Sequence, residues 1–302
     1  MRLKQRGFTV AELLVATAVA GIAAAAMTAT IIRQQRFFSA ADEILATRAQ
    51  LRDGADILAS DLRGAAVGQF GLPVLTDTAV EMLTTIATSV VCTAPIGPAM
   101  GLPPASLASG STLTSILVQP DTGDVALILA VPQASPDSAS WQSYRVASFA
   151  SRSLSTSCPP SAGFTTAGDA FSGATGFQLT LATNPSAPLR AGAPIHFLRR
   201  ARYSFYRSSD GARYLGYRRC GAFPPFTCAA IQPVSGPYKA IAFRYFDESG
   251  GEITSAAESF RVARVEIAIS GQSARDISLT GDSRRAWRDS IVVTVSPRNR
   301  MR

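Results

Sequence analysis

Residues 13–32, LLVATAVAGIAAAAMTATII, carry no charge at all. A run of that length crosses about 30 Å of hydrocarbon as a helix rising 1.5 Å per residue, and in lipid a lone segment satisfies its backbone only as a helix. The many alanines make it a marginal rather than a greasy span. Ahead of it stands the basic heptapeptide MRLKQRG, which the preference for basic residues on the cytoplasmic side places inside. The chain is therefore expected to be a single-pass membrane protein whose remaining residues lie on the far side.

After Arg33 the pattern turns amphipathic: Phe37, Ala41, Ile44, Arg48, Leu51, Ala55, Leu58 and Leu62 follow one another at alternating steps of four and three. Only Arg48 interrupts the apolar stripe. Arg36, Asp42, Glu43, Arg52, Asp53, Asp56 and Arg63 occupy the other faces, so the spacing predicts one unbroken helix from the membrane to about Arg63.

From Gly64 onward Gly, Pro, Ser and Thr punctuate short runs of branched and aromatic residues, the signature of strands and turns. Residues 113–119 and 125–131 flank a Pro-Asp-Thr-Gly turn and read as strands. Residues 197–207 and 212–219 flank Ser-Ser-Asp-Gly, which supplies the turn chemistry for a hairpin. Further strands are expected at 141–149, 177–182, 240–246, 262–270 and 291–296. Several alternate apolar and polar residues, as in a sheet with one covered face, which the helix could cover. The fold class expected is α+β, a long N-terminal helix packed on antiparallel sheet. Five segments follow: a leader at 1–7, the membrane half of the helix at 8–32, its amphipathic half at 33–63, a β-rich domain at 64–297, and a frayed basic tail at 298–302.

The formal charge of +8 in 302 residues raises the question of an acidic partner. Lysine occurs only at Lys4 and Lys239, and loss of the leader with Arg2, Lys4 and Arg6 would leave about +5. Arg199, Arg200 and Arg202, interleaved with Tyr203 and Tyr206 and followed by Arg207, Arg213, Arg218 and Arg219, are the candidates for contact with single-stranded nucleic acid. With no base-reading motif, the preferred reading makes them solvent-side residues of a hairpin, and nucleic acid is not expected as a partner.

Cys92, Cys158, Cys220 and Cys228 make an even number in a chain that looks exported, which favours two disulfides. Of three connectivities, Cys220–Cys228 with Cys92–Cys158 is preferred, because the first closes a short Pro-containing loop; the second follows by elimination. No CxxC pair occurs and His196 is the sole histidine, so no metal or other cofactor is expected. Asp247 and Glu248 fall short of the oxygens calcium needs and read as a polar turn. No phosphate loop, HExxH or GxSxG is present, and His196 has no nucleophile beside it in a recognisable context, so no enzyme activity is expected.

The segment GFTVAELLVATAVAGI, residues 7–22, resembles the cleavage and methylation signal of type IV prepilins and of the pseudopilins of type II secretion. The resemblance implies cleavage between Gly7 and Phe8 and N-methylation of Phe8 by a prepilin peptidase and methyltransferase. Gly7, lacking a side chain, suits the close backbone approach a peptidase cleft requires. Glu12 puts a carboxylate one turn into a membrane helix, at about 2.5–3.5 kcal/mol on insertion scales unless it is paired. The implied partner is the amino group of Phe8 on a neighbouring subunit. An ordinary signal peptide, or a plain anchor for an unrelated domain, leaves Gly7, Phe8 and Glu12 unexplained.

RRARYSFYRSSDGARYLGYRR, AIAFRYFDESGGE and RVARVEIAI, together with residues 42–63, resemble the domain of PilW-type minor pilins and J-type pseudopilins. Residues 65–193 match no family. The resemblance implies a non-enzymatic subunit in the bacterial inner membrane with a periplasmic domain, later at the tip of a pilus or pseudopilus. Its partners would be other minor and major pilins or pseudopilins and the inner-membrane assembly platform. Length favours the pilus subunit over the shorter secretion pseudopilins, and an adhesive or DNA-binding module on the same anchor is the competing class.

Overall fold

The structure, a computed structural model, describes residues 9–68, 73–132, 139–278 and 283–301. Helix α1 spans Val10–Arg63 without a break. Thr9 caps it reciprocally: its hydroxyl accepts the Glu12 N–H at 3.2 Å, while Glu12 Oε2 accepts the Thr9 N–H at 2.9 Å and its hydroxyl at 3.0 Å. Two of the orphan groups of a helix start are thereby satisfied. The helix ends at Gly64, and the chain enters the first strand at once.

The strands, in chain order, are β1 Ala65–Gly68, β2 Val74–Leu75, β3 Ala79–Val90, β4 Ala99–Leu102, β5 Ser115–Ile116, β6 Val125–Ala130, β7 Ser140–Ser153, β8 Thr175–Leu181, β9 Pro194–Arg207, β10 Arg213–Cys220, β11 Gln232–Ser235, β12 Ala240–Phe246, β13 Arg264–Ile277, β14 Arg285–Val295 and β15 Asn299–Met301. Two short helices, α2 Leu154–Ser157 and α3 Ala167–Phe171, lie between β7 and β8. Twelve strands form one sheet along the path β15-β1-β3-β9-β6-β7-β8-β4, with β2 and β5 on β3, β10 on β9 and β11 on β10. The sheet β12-β13-β14 stands apart. Among the described residues every ladder is antiparallel except β1 with β15. The whole is an α+β arrangement consistent with a type IV pilin fold: a long N-terminal helix, then antiparallel sheet.

Two cores divide the β region. In the first, Leu51, Ala55, Leu58, Ala59 and Leu62 of α1 pack between the three-stranded sheet (Ile241, Phe243, Val265, Ile267, Ile269) and the large sheet (Val80, Met82, Tyr203, Leu215). Complete burial of a leucine such as Leu58 contributes about 1.5–3 kcal/mol, so this face holds the helix to the domain. The second core, built on Ile128, Val146, Phe149, Leu179, Ile195 and Phe197, draws no residue from the helix.

The buried face of α1 is Ala40, Thr47, Leu51, Gly54, Ala55, Leu58, Ala59 and Leu62, whereas Phe37 at the top of the expected stripe stays 69% exposed. Arg48 breaks the stripe for a reason: its guanidinium pairs with Asp289 of β14 at 3.0 Å and lies over the Trp287 ring at 5.3 Å. Gly54 is a point of close approach, for a Cβ there would collide with the Tyr238 hydroxyl and lie 2.9 Å from its ring carbon Cζ.

Two expectations are corrected and one strand was missed. Of residues 113–119 only Ser115–Ile116 form a strand, β5, which pairs with β3 while β6 inserts between β7 and β9. The tail does not fray: Asn299–Met301 adds in parallel to the open edge of β1, whose N–H and C=O groups would otherwise lack partners. Central strand β3 was not foreseen, since its run AVEMLTTIATSV is buried on both faces and lacks a period of two.

Candidate assembly site on the N-terminal helix

Residues 9–39 of α1 and its cap are exposed throughout, among them Val10 at 79%, Leu13 at 60%, Val19 at 61% and Ile22 at 72%. The apolar stretch has a mean hydropathy of 2.0, and none of it is covered by the rest of the chain. Its polar side chains are satisfied internally: the Thr17, Thr28 and Thr30 hydroxyls donate to the carbonyls of Leu13, Ala24 and Ala26 at 3.0, 2.8 and 2.9 Å. Such bonds let hydroxyls enter lipid without an unmet donor. An apolar surface of this length needs cover, and a membrane or the helices of neighbouring subunits supply it.

Glu12 is the one carboxylate on that stretch. Both bonds from Thr9 fall on Oε2, and Oε1 receives none among the described residues. The group is thus oriented by its own helix cap, with Oε2 engaged and Oε1 left open. Sequence reasoning singled out Glu12 but missed Thr9, although a threonine three residues before a glutamate at the start of an apolar run is the capping-box signature. Gly7 and Phe8 lie outside the described residues.

The cysteines form two disulfides, Cys92–Cys158 and Cys220–Cys228, with Cα atoms 5.3 and 3.9 Å apart. The first links the end of β3 to the segment after α2 beside the second core, and the second closes a loop after β10. Glu81 comes close to the sulfurs of Cys220 and Cys228, but bonded sulfurs offer no thiolate to a metal.

The arginines of β9 and β10 are not simply solvent-side. Arg199 forms a bidentate pair with buried Asp124 at 3.0 and 2.7 Å, shared with Arg219 at 3.2 Å. Asp124 holds the Arg199 guanidinium well above its ordinary range. Arg200 pairs with buried Glu81 and also reaches the Gly221 carbonyl at 3.2 Å. Two of the three arginines considered for nucleic acid are therefore committed to internal carboxylates. Arg202 stands directly opposite Arg218, and the Nε of each is buried without a hydrogen-bond partner among the described residues. His196 sits on β9 edge-to-face with Trp141 at 5.1 Å, where burial lowers its pKa.

Residues 2–28 match the family model described as a prokaryotic N-terminal methylation motif. No curated protein and no solved structure matches the chain. The motif, with the long apolar helix behind it, supports a type IV pilin-like protein, a pilin or pseudopilin subunit that is anchored in a membrane, processed by a prepilin peptidase and assembled with other pilins.

Proposed function

We propose that the chain is a non-enzymatic minor pilin that primes or caps assembly of a type IV pilus. The observation carrying this reading is the methylation motif at residues 2–28 set on a helix whose first half is bare and whose second half is the spine of the folded domain. A subunit so built leaves the bilayer as one body, helix and domain together. Cleavage between Gly7 and Phe8 exposes an amino terminus, and Glu12, oriented by Thr9, receives that of a neighbouring subunit. In the proposed division, residues 8–32 serve membrane and filament, 33–63 join them to the domain, and 64–297 form a periplasmic body extended by the terminal strand. Length and the β-domain resemblance favour a PilW-type subunit at a pilus tip over a J-type pseudopilin of secretion.

Intact-mass and N-terminal analysis of the mature protein tests the processing step, with a methylated Phe8 expected. Glu12→Ala should reduce incorporation into filaments at least tenfold while processing continues. Unchanged incorporation would refute the charge pairing.

One observation favours a second reading, a binding module displayed on the same anchor: the second core, with its Cys92–Cys158 bridge, is built without the helix and adds bulk that anchoring does not need. Because β6 and β7 continue the sheet from β9, excision of this region would tear the sheet. Replacing the exposed stretch around Leu117 and Val118 with Ser and Gly is the cleaner test. Loss of attachment with normal filaments would favour the module.

A further inference from the structure

The β13–β14 ladder runs down α1 toward the membrane. Gly271 lies against Leu51 and Thr47; three residues on, the N–H groups of Ala274 and Arg275 donate to Glu43 Oε2 at 3.1 and 3.4 Å. Beyond that contact the two elements part and leave a cleft of about 810 Å³, lined by Ile32, Arg36 and Ala40 of the helix and by Arg275, Asp276 and Arg284 of the ladder. Among the described residues three guanidinium groups and one carboxylate, Asp276, line it. Arg275 reaches Glu43 only at 3.8 Å and keeps 82% of its side chain exposed. Among the described residues Arg36 and Arg284 have no ion pair. The three guanidinium groups outnumber the nearby carboxylates, Asp276 and Glu43, and that surplus positive charge attracts an anion.

We propose that this cleft binds the phosphodiester headgroup of an anionic phospholipid from the membrane the helix crosses. Depth argues for lipid over any other anion. Ile32 closes the uncharged run and lines the same cleft as Arg36, about 6 Å further along the axis, so the cleft opens at the headgroup layer. Phe37 and Phe38, 69% and 63% exposed, stand at the same level of the helix and present apolar rings that suit the same boundary. Arg33 and Arg36 also stand on the translocated side of the span, against the usual bias of basic residues toward the cytoplasm. A lipid phosphate taken in bidentate fashion by guanidinium groups gives them a role there. The bound headgroup holds the domain down on the bilayer until the subunit is extracted.

The assignment rests on membrane anchoring of residues 13–32. The full chain is reconstituted in nanodiscs of phosphatidylcholine containing a minor fraction of phosphatidylglycerol, and the lipids it retains are counted by native mass spectrometry. Phosphatidylglycerol should be enriched over its bulk fraction, and Arg275→Gln and Arg284→Gln should each lower the enrichment about fivefold. Arg207→Gln with Arg213→Gln, on the distant hairpin, should leave it unchanged. Should Arg284→Gln misfold, Arg275→Gln alone decides, because that side chain is largely in solvent. No enrichment, or equal enrichment in wild type and cleft variants, would overturn the assignment, as would displacement by a few millimolar inorganic phosphate, which would mark a site for soluble anions. Alkaline carbonate extraction tests the anchor separately: a chain that stays in the membrane without enriching phosphatidylglycerol refutes the cleft alone.

Discussion

Gly54→Ala should destabilise the protein, although in an isolated helix the same change is favourable by about 0.5–1 kcal/mol. Gly54 faces the end of β11 and the segment after it, where Tyr238, 5% exposed, sends its hydroxyl over the helix. That hydroxyl donates to the Gln50 carbonyl at 3.0 Å and lies 2.8 Å from the Ser235 hydroxyl. A methyl group at Gly54 would overlap the hydroxyl and sit 2.9 Å from Cζ and 3.3 Å from Ser235 Oγ. The ring cannot swing away without leaving its core position. Overpacking costs about 1–3 kcal/mol and each lost hydrogen bond about 1 kcal/mol, against the helical gain. The net is a loss of about 1–3 kcal/mol, or roughly 3–10 °C in Tm for a domain of this size. Thermal unfolding of the full chain in detergent, followed by near-ultraviolet circular dichroism, reads it directly. Combining Gly54→Ala with Tyr238→Phe should show a coupling of about 1 kcal/mol, since the worst overlap goes with the hydroxyl while the ring carbon remains. A higher Tm for Gly54→Ala, or strict additivity of the two changes, would refute the close-approach argument.

Removing Glu81 strands the Arg200 guanidinium, whose side chain is 14% exposed, so Glu81→Ala should cost about 3–5 kcal/mol by denaturant unfolding, with Glu81→Ala/Arg200→Met recovering much of it. Cys92→Ser/Cys158→Ser opens a loop of 66 residues and should lower stability by about 4 kcal/mol on the chain-entropy estimate. Cys220→Ser/Cys228→Ser, which opens a loop of 8, should cost about 2.5 kcal/mol, and the order of the two midpoints checks the estimate. Arg48, and next the Ser290 N–H, hold the Asp289 carboxyl below its ordinary 3.8, so its contribution is complete above about pH 5 and is lost as pH falls below 3.8 through the lowered folded-state pKa. Asp289→Asn should flatten the acid side of the stability profile, measured by unfolding between about pH 5 and pH 2.

Much of this protein is legible before any coordinates. An uncharged run long enough to span a bilayer, and steps of three and four continuing past it, are local periodic signals, and α1 ends at Arg63 where the pattern does. The hairpin β9–β10 is announced by its Ser-Asp-Gly turn. Tertiary structure alone decided the rest. That the other edge of β6 would pair with β9 depended on a partner more than sixty residues away. Arg48 looked like a flaw in the stripe until Asp289 came against it, and Arg199 and Arg200 looked like a solvent-side patch until Asp124 and Glu81 were folded beneath them. A helix is bonded within itself and writes its period into neighbouring residues; a sheet, an ion pair and a cleft are made between distant ones. The span and its signal therefore belong to the sequence, and the joint between helix and domain, with the basic cleft at the membrane boundary, to the fold.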